Sequence, residues 1–230
     1  LAVPVVVCAL TLGVYCLFSV GQWRMMASPS WDLAIFTEAA KSYSQGHWPI
    51  VPIKGPGFNL LGDHFHPILV LLGPVWRLFP TPLALLVVQD VLLAVSAWPI
   101  TRLAMRTLTP WAGGALGLFY VLSWGFQGAV SAQFHEIAFA VPMLAWASTA
   151  FAERRWRACA LWCAPLVLVK EDLGLTILMA GLAIALHGLQ ERREDRAAPT
   201  TLLGLGLTLY GLFAFLITVL LILPALSPSG

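Results

Sequence analysis

Apolar positions along the chain gather into long runs separated by short polar breaks. A bilayer-spanning helix needs roughly 17–25 mostly apolar residues. Residues 1–22, 83–106, 111–128, 137–152 and 201–224 meet that pattern. Two shorter runs, 158–169 and 173–189, meet at Lys170-Glu171-Asp172. The pattern predicts an all-α, polytopic membrane helix bundle of about seven spans. The run 68–79 is different. As a helix it reaches only about 18 Å, short of a ~30 Å hydrocarbon core. It is read as lying on the membrane surface. So is 30–45, where Leu33, Phe36, Ala40 and Tyr43 repeat at helical spacing opposite Glu38, Lys41, Ser42 and Gln45. Ser30 is its expected N-cap and Gly46 its expected stop.

Basic residues then set the orientation. Arg102 and Arg106, then Arg154, Arg155 and Arg157, then Arg192, Arg193 and Arg196 flank three boundaries. The positive-inside rule asks all three clusters to be cytoplasmic. The first span then runs outward, and 23–82 becomes one external segment carrying both surface helices.

Composition supports this reading. The chain is 59% hydrophobic and only 10% charged, with a mean hydropathy of +0.83. Soluble domains carry about 25% charged residues. Ten Trp and sixteen Pro also suit a bilayer. A net charge of +2 is too small to imply nucleic acid. No Gly-rich phosphate loop follows a strand, so no nucleotide is implied. The first run lacks a basic leader region and is read as a retained helix. The chain as a whole reads as one transmembrane domain cut from a longer protein. Cys8, Cys16, Cys159 and Cys163 all lie in apolar runs and read as packing residues. No internal repeat stands out, nor a matched pair of Gly-broken helices.

Under this topology the polar residues sort by side. Asp32, Lys54, Asp63, His64, His66, His135, Glu136, Lys170, Glu171 and Asp172 all fall at the outer face. Asp32 begins a surface helix, where an acid is favoured by the helix dipole. It is either a cap or a general base at the membrane surface. In Asp63-His64-Phe65-His66-Pro67, proline biases His66 toward extended backbone. Residues two apart then face one way, so His64 and His66 fit either a metal or surface hydrogen bonds. His135-Glu136 is a polar turn or a further contribution to the same pocket. Lys170-Glu171-Asp172 follows a run too short to reach the surface. Charges held below it are expensive and pair or line a cavity. They either tie two helix ends or bind a charged headgroup.

Ser30-Trp31-Asp32-Leu33-Ala34-Ile35-Phe36, Leu61-Gly62-Asp63-His64-Phe65, Phe134-His135-Glu136 and Val169-Lys170-Glu171-Asp172-Leu173-Gly174 resemble, in order, a family of bacterial predicted membrane proteins of unknown function, DUF2079. That family in turn resembles the GT-C superfamily of membrane glycosyltransferases. The resemblance implies transfer of a sugar from a polyprenyl-phosphate carrier at the outer face of the bacterial plasma membrane. It places Asp32 where those enzymes keep a catalytic or metal-holding acid. Many of them carry paired acids there, whereas Asp32 stands between a tryptophan and a leucine.

On this reading Asp32, Asp63 and Glu171 are the candidate catalytic acids. Lys170, Asp172, His135, Glu136 and Lys54 are candidate substrate contacts, and His64 and His66 candidate ligands of a divalent metal ion. Membrane lipids and a polyprenyl-phosphate sugar donor are the expected partners. No nucleic acid is expected, and no oligomeric state follows. Two other functions fit the same residues. One is a transporter or flippase for a charged solute or lipid; the other is a non-catalytic protein that binds lipid or a partner.

Overall fold

A computed structural model describes residues 2–27, 31–190 and 197–227. Among them the regular structure is helical, with no strand beyond one isolated bridge, Ile50 to Asn59. Leu1, Ser30 and the arginines 192, 193 and 196 lie outside the described residues. The helices are α1 (Ala2–Arg24), α2 (Asp32–Ser44), α3 (Leu72–Leu78), α4 (Pro82–Thr107), α5 (Pro110–Val121), α6 (Trp124–Ser131), α7 (Ala140–Ala152), α8 (Trp156–Cys163), α9 (Leu173–Gln190), α10 (Ala197–Ile217) and α11 (Leu223–Leu226). Short 3-10 turns precede α3 and α7 and follow α8, and one π turn joins α10 to α11.

Among the described residues, four helices are long and apolar enough to cross a membrane: Ala2–Arg24, Pro82–Thr107, Leu173–Gln190 and Pro199–Leu226. The runs Pro67–Leu78, Glu136–Ala152 and Trp156–Leu168 are apolar but shorter. The expected span at 111–128 is broken between α5 and α6. Ser123 is extended there (φ −66°, ψ 156°), and the Gln127 side-chain amide donates to the Leu122 carbonyl at 2.7 Å. That bond satisfies a carbonyl the helix no longer uses, so the break needs no water.

Chain contacts form two compact units. The first comprises Leu1–Leu60 and Leu69–Ala145, the second Leu61–Ile68 and Trp146–Gly230.

In the first unit α4 packs against α1 and α5. Val7, Ala97 and Val121 form one buried cluster, and Tyr15, Leu93 and Val130 another. Small residues permit the close approach: a Cβ at Gly113 would lie 2.6 Å from the Met105 nitrogen of α4. α2 is amphipathic as expected, burying Leu33, Phe36, Ala39 and Ala40. Its stop is at Gly46 (φ 76°). There the Gly46 N–H donates to the Tyr43 carbonyl and the His47 N–H to that of Ser42. These two bonds close the helix in a Schellman motif that needs a left-handed residue.

The second unit is organised by the antiparallel pairing of α9 and α10. Gly174, Gly181 and Gly188 recur every seven residues on α9, and Gly204 and Gly211 do so on α10. A Cβ at Gly181 would lie 2.6 Å from the Thr208 hydroxyl, and one at Gly188 would lie 2.7 Å from the Thr201 nitrogen. The two backbones are therefore in near contact. Membrane helices associate in this way when small residues share one face.

Candidate functional site

In the first unit the site is built around Gln133. Its φ of 70° puts a non-glycine residue in the left-handed region, a strain of order 1–3 kcal/mol. Several bonds hold it there. Gln89, buried on α4, donates its amide to the carbonyls of Gln133 (2.9 Å) and Ala129 (3.1 Å). The Gln89 side-chain oxygen accepts from the His135 N–H at 3.0 Å. The Gln133 side chain donates to the Ala27 carbonyl at 2.9 Å. Residues 133–135 are thus clamped from both sides, and His135 leaves them extended (φ −137°, ψ 147°) before the Glu136–Phe139 turn.

The clamp presents the His135 ring to Asp32. His135 Nε2 lies 3.2 Å from Asp32 Oδ2, both side chains being more than a third exposed (36% and 39%). His135 Nδ1 lies 3.1 Å from the Gln133 carbonyl. A carbonyl can only accept, so Nδ1 carries a hydrogen. A hydrogen held between Nε2 and the carboxylate would make this contact a hydrogen bond, the geometry that general acid–base chemistry uses. Phe36 packs edge-on against the His135 ring (centroids 6.1 Å apart) and against Phe134 (5.3 Å).

A cavity of about 610 Å³ shares the Gln133 wall. Trp23, Met26, Leu33 and Ile53 give it an apolar lining, and Gln22, Thr37 and Glu38 a polar one. Among the described residues, the wall holds no Lys, Arg or His. Gln22 Oε1 and Thr37 Oγ1 are buried without a hydrogen-bond partner, so the polar side has unused acceptors. Lys54 is exposed and sits 4.9 Å above the Phe58 ring. Glu136 is buried at the start of its turn.

The second unit holds the other acidic cluster. Glu171 accepts from His64 Nδ1 at 2.8 Å and from the Phe65 N–H at 2.9 Å. Burial pushes the Glu171 carboxyl up. The hydrogen bonds from His64, from its own backbone and from Phe65, together with the charge of His64, outweigh burial and hold it below the usual carboxylate range. Segment 61–68 is thereby tied to the turn before α9. In that turn the Lys170, Glu171 and Asp172 carbonyls accept from Leu173, Gly174 and Leu175. Acids just ahead of the helix also suit its dipole. Asp172 is exposed, Lys170 and Asp63 half-buried. His66 is buried whereas His64 is exposed. Among the described residues, no three His, Cys, Asp or Glu side chains are grouped to hold a metal ion.

Two residues on α4 escaped the sequence reading: Gln89, which positions His135, and Asp90, which is fully buried. Their signal is visible in the sequence, because Asp90 is the one ionisable residue in the apolar stretch 82–101. An ionisable side chain inside a spanning helix is a functional candidate by default.

No curated protein and no solved structure significantly matches the chain. The profile of one family of predicted membrane proteins matches residues 22–230, nearly the whole length and all four sequence motifs. The chain belongs to that family, DUF2079, a family of membrane proteins of unknown function.

Proposed function

We propose that the protein is a GT-C-type transferase that moves a sugar from a polyprenyl-phosphate carrier at the outer face of the bacterial plasma membrane. One observation carries the reading: Asp32 and His135 face each other at 3.2 Å near an amphipathic cavity at the end of α1. Apolar walls suit the carrier chain, and a polar side rich in acceptors suits sugar hydroxyls. The element order also fits the plan of that superfamily. A first spanning helix is followed by an acid that opens a short amphipathic helix, then by a second short helix, then by the next span. In this proposal α5 with α6, then α7 with the turn before it, then α8 with its 3-10 turn complete seven spans.

Asp32 accepts the proton of the acceptor hydroxyl as that oxygen attacks the anomeric carbon. The bond from that carbon to the carrier phosphate breaks, and the phosphate leaves with the electron pair. His135 keeps the carboxylate oriented by donating to it.

Native mass spectrometry of the full-length protein tests the substrate class. Wild type is expected to carry a polyprenyl phosphate or its glycosylated form, and Ala34→Trp, which fills the cavity, to lose it. Ordinary phospholipids alone, identical in both, would sink the proposal in favour of transport.

A further inference from the structure

Asp90 lies about a third of the way along α4, in a helix long and apolar enough to span a membrane, and its side chain is fully buried. Neither carboxyl oxygen has a partner at ordinary hydrogen-bonding distance. The side chains that face it come from α1: the Ser19 hydroxyl, the Cys16 thiol and the Tyr15 phenol. The Tyr15 hydroxyl donates instead to the Val121 carbonyl of α5. Tyr120, the titratable residue of α5, acts on Tyr15. Among the described residues, the side chains that act on Asp90 are those of α1, with no Lys, Arg or His among them.

A carboxylate in such a place would be a bare charge in a dry, low-dielectric interior. Groups so placed neutralise rather than remain ionised. The neutralising ligand is either a proton or a metal cation. One carboxyl, one hydroxyl and one thiol make a poor shell for a hard cation, because sulfur is a soft ligand. The α4 carbonyls around Asp90 are engaged in the helix. A proton needs only the carboxyl itself, and the resulting O–H can donate to the Ser19 hydroxyl.

We propose that Asp90, faced by Ser19 and Cys16, is an intramembrane proton-binding site, occupied when α1 and α4 are packed together. It is separate from the Asp32–His135 pair and takes no part in the transfer step. Its proton is released only where water reaches the carboxyl.

Infrared difference spectroscopy of the full-length protein in lipid, wild type minus Asp90→Asn, reads the site directly. The expected difference is loss of a protonated-carboxyl C=O stretch near neutral pH, unchanged when sodium replaces potassium. Loss of a carboxylate band instead, or a C=O band that disappears on adding sodium, would overturn the proposal. Asparagine mimics the protonated acid in shape and charge, so the variant is expected to melt with wild type. If Asp90→Asn fails to fold, wild type is treated with a membrane-permeant carbodiimide, which reacts with protonated carboxyls. An adduct on Asp90, formed more slowly as pH rises, supports the site; an unmodified Asp90 overturns it.

Discussion

Asp32→Asn in the full-length protein is expected to lower the turnover of sugar transfer by about 10²–10⁴-fold, the share a positioned acid–base group supplies. The substitution keeps the shape of the side chain and the start of α2 but removes the carboxylate facing His135. Binding is expected to stay near wild type, because the cavity wall does not include Asp32. The change should therefore appear in kcat with KM little altered, the mark of an interaction made in the transition state. His135→Ala is expected to fall in the same range. The double variant should be little worse than either single one, since groups acting as one unit are strongly non-additive. Steady-state transfer assays on the three variants check this. Additive losses would mean that the two residues act separately.

The second large effect is structural. Gly181→Leu is expected to disrupt the pairing of α9 and α10, with a loss at or above the upper end of the about 1–3 kcal/mol typical of overpacking. The first carbon of the new side chain would already lie 2.6 Å from the Thr208 hydroxyl and 2.7 Å from the Gly204 carbonyl oxygen. Backbone cannot rotate away as a side chain can, so the helices must part. Gly206→Leu on α10 is the control. Nothing lies within 4 Å of a Cβ there, and the position is exposed. Thermal unfolding in detergent should show Gly181→Leu far below wild type and Gly206→Leu near it.

The long elements could be read from hydrophobic pattern alone. α1, α4 and α9 lie within two residues of the runs that predicted them, because their ends coincide with polar residues. The break between α5 and α6 could not be read in this way. Both helices are apolar, and the break depends on one side chain, Gln127, reaching one carbonyl. The glycine spacing of α9 and α10 was equally hidden. It is carried by glycine alone and acquires meaning only when the partner helix is seen against it.

The site divides along the same line. Asp32 stood out because an acid opening an amphipathic helix has a recognisable place in sequence. Its partnership with His135 depends on Gln89 and on the left-handed Gln133, and neither requirement leaves a local pattern. The expected pairing of His64 with His66 assumed extended backbone. The structure has a turn at Asp63 and a bend at His64, leaving one ring exposed and the other buried. Glu171, an expected catalytic acid, accepts from His64 and from the Phe65 N–H, contacts that no local sequence pattern announces.

The contact between Asp32 and His135 Nε2 is the centre of the account, and nitrogen-15 NMR of the His135 ring tests it most directly. Full-length protein labelled at histidine is compared with its His135→Gln variant, to assign the signal, and with Asp32→Asn. The Nε2 signal is predicted to differ between wild type and Asp32→Asn, with Nδ1, held at the Gln133 carbonyl, little changed. Identical ring signals in the two proteins would contradict the account.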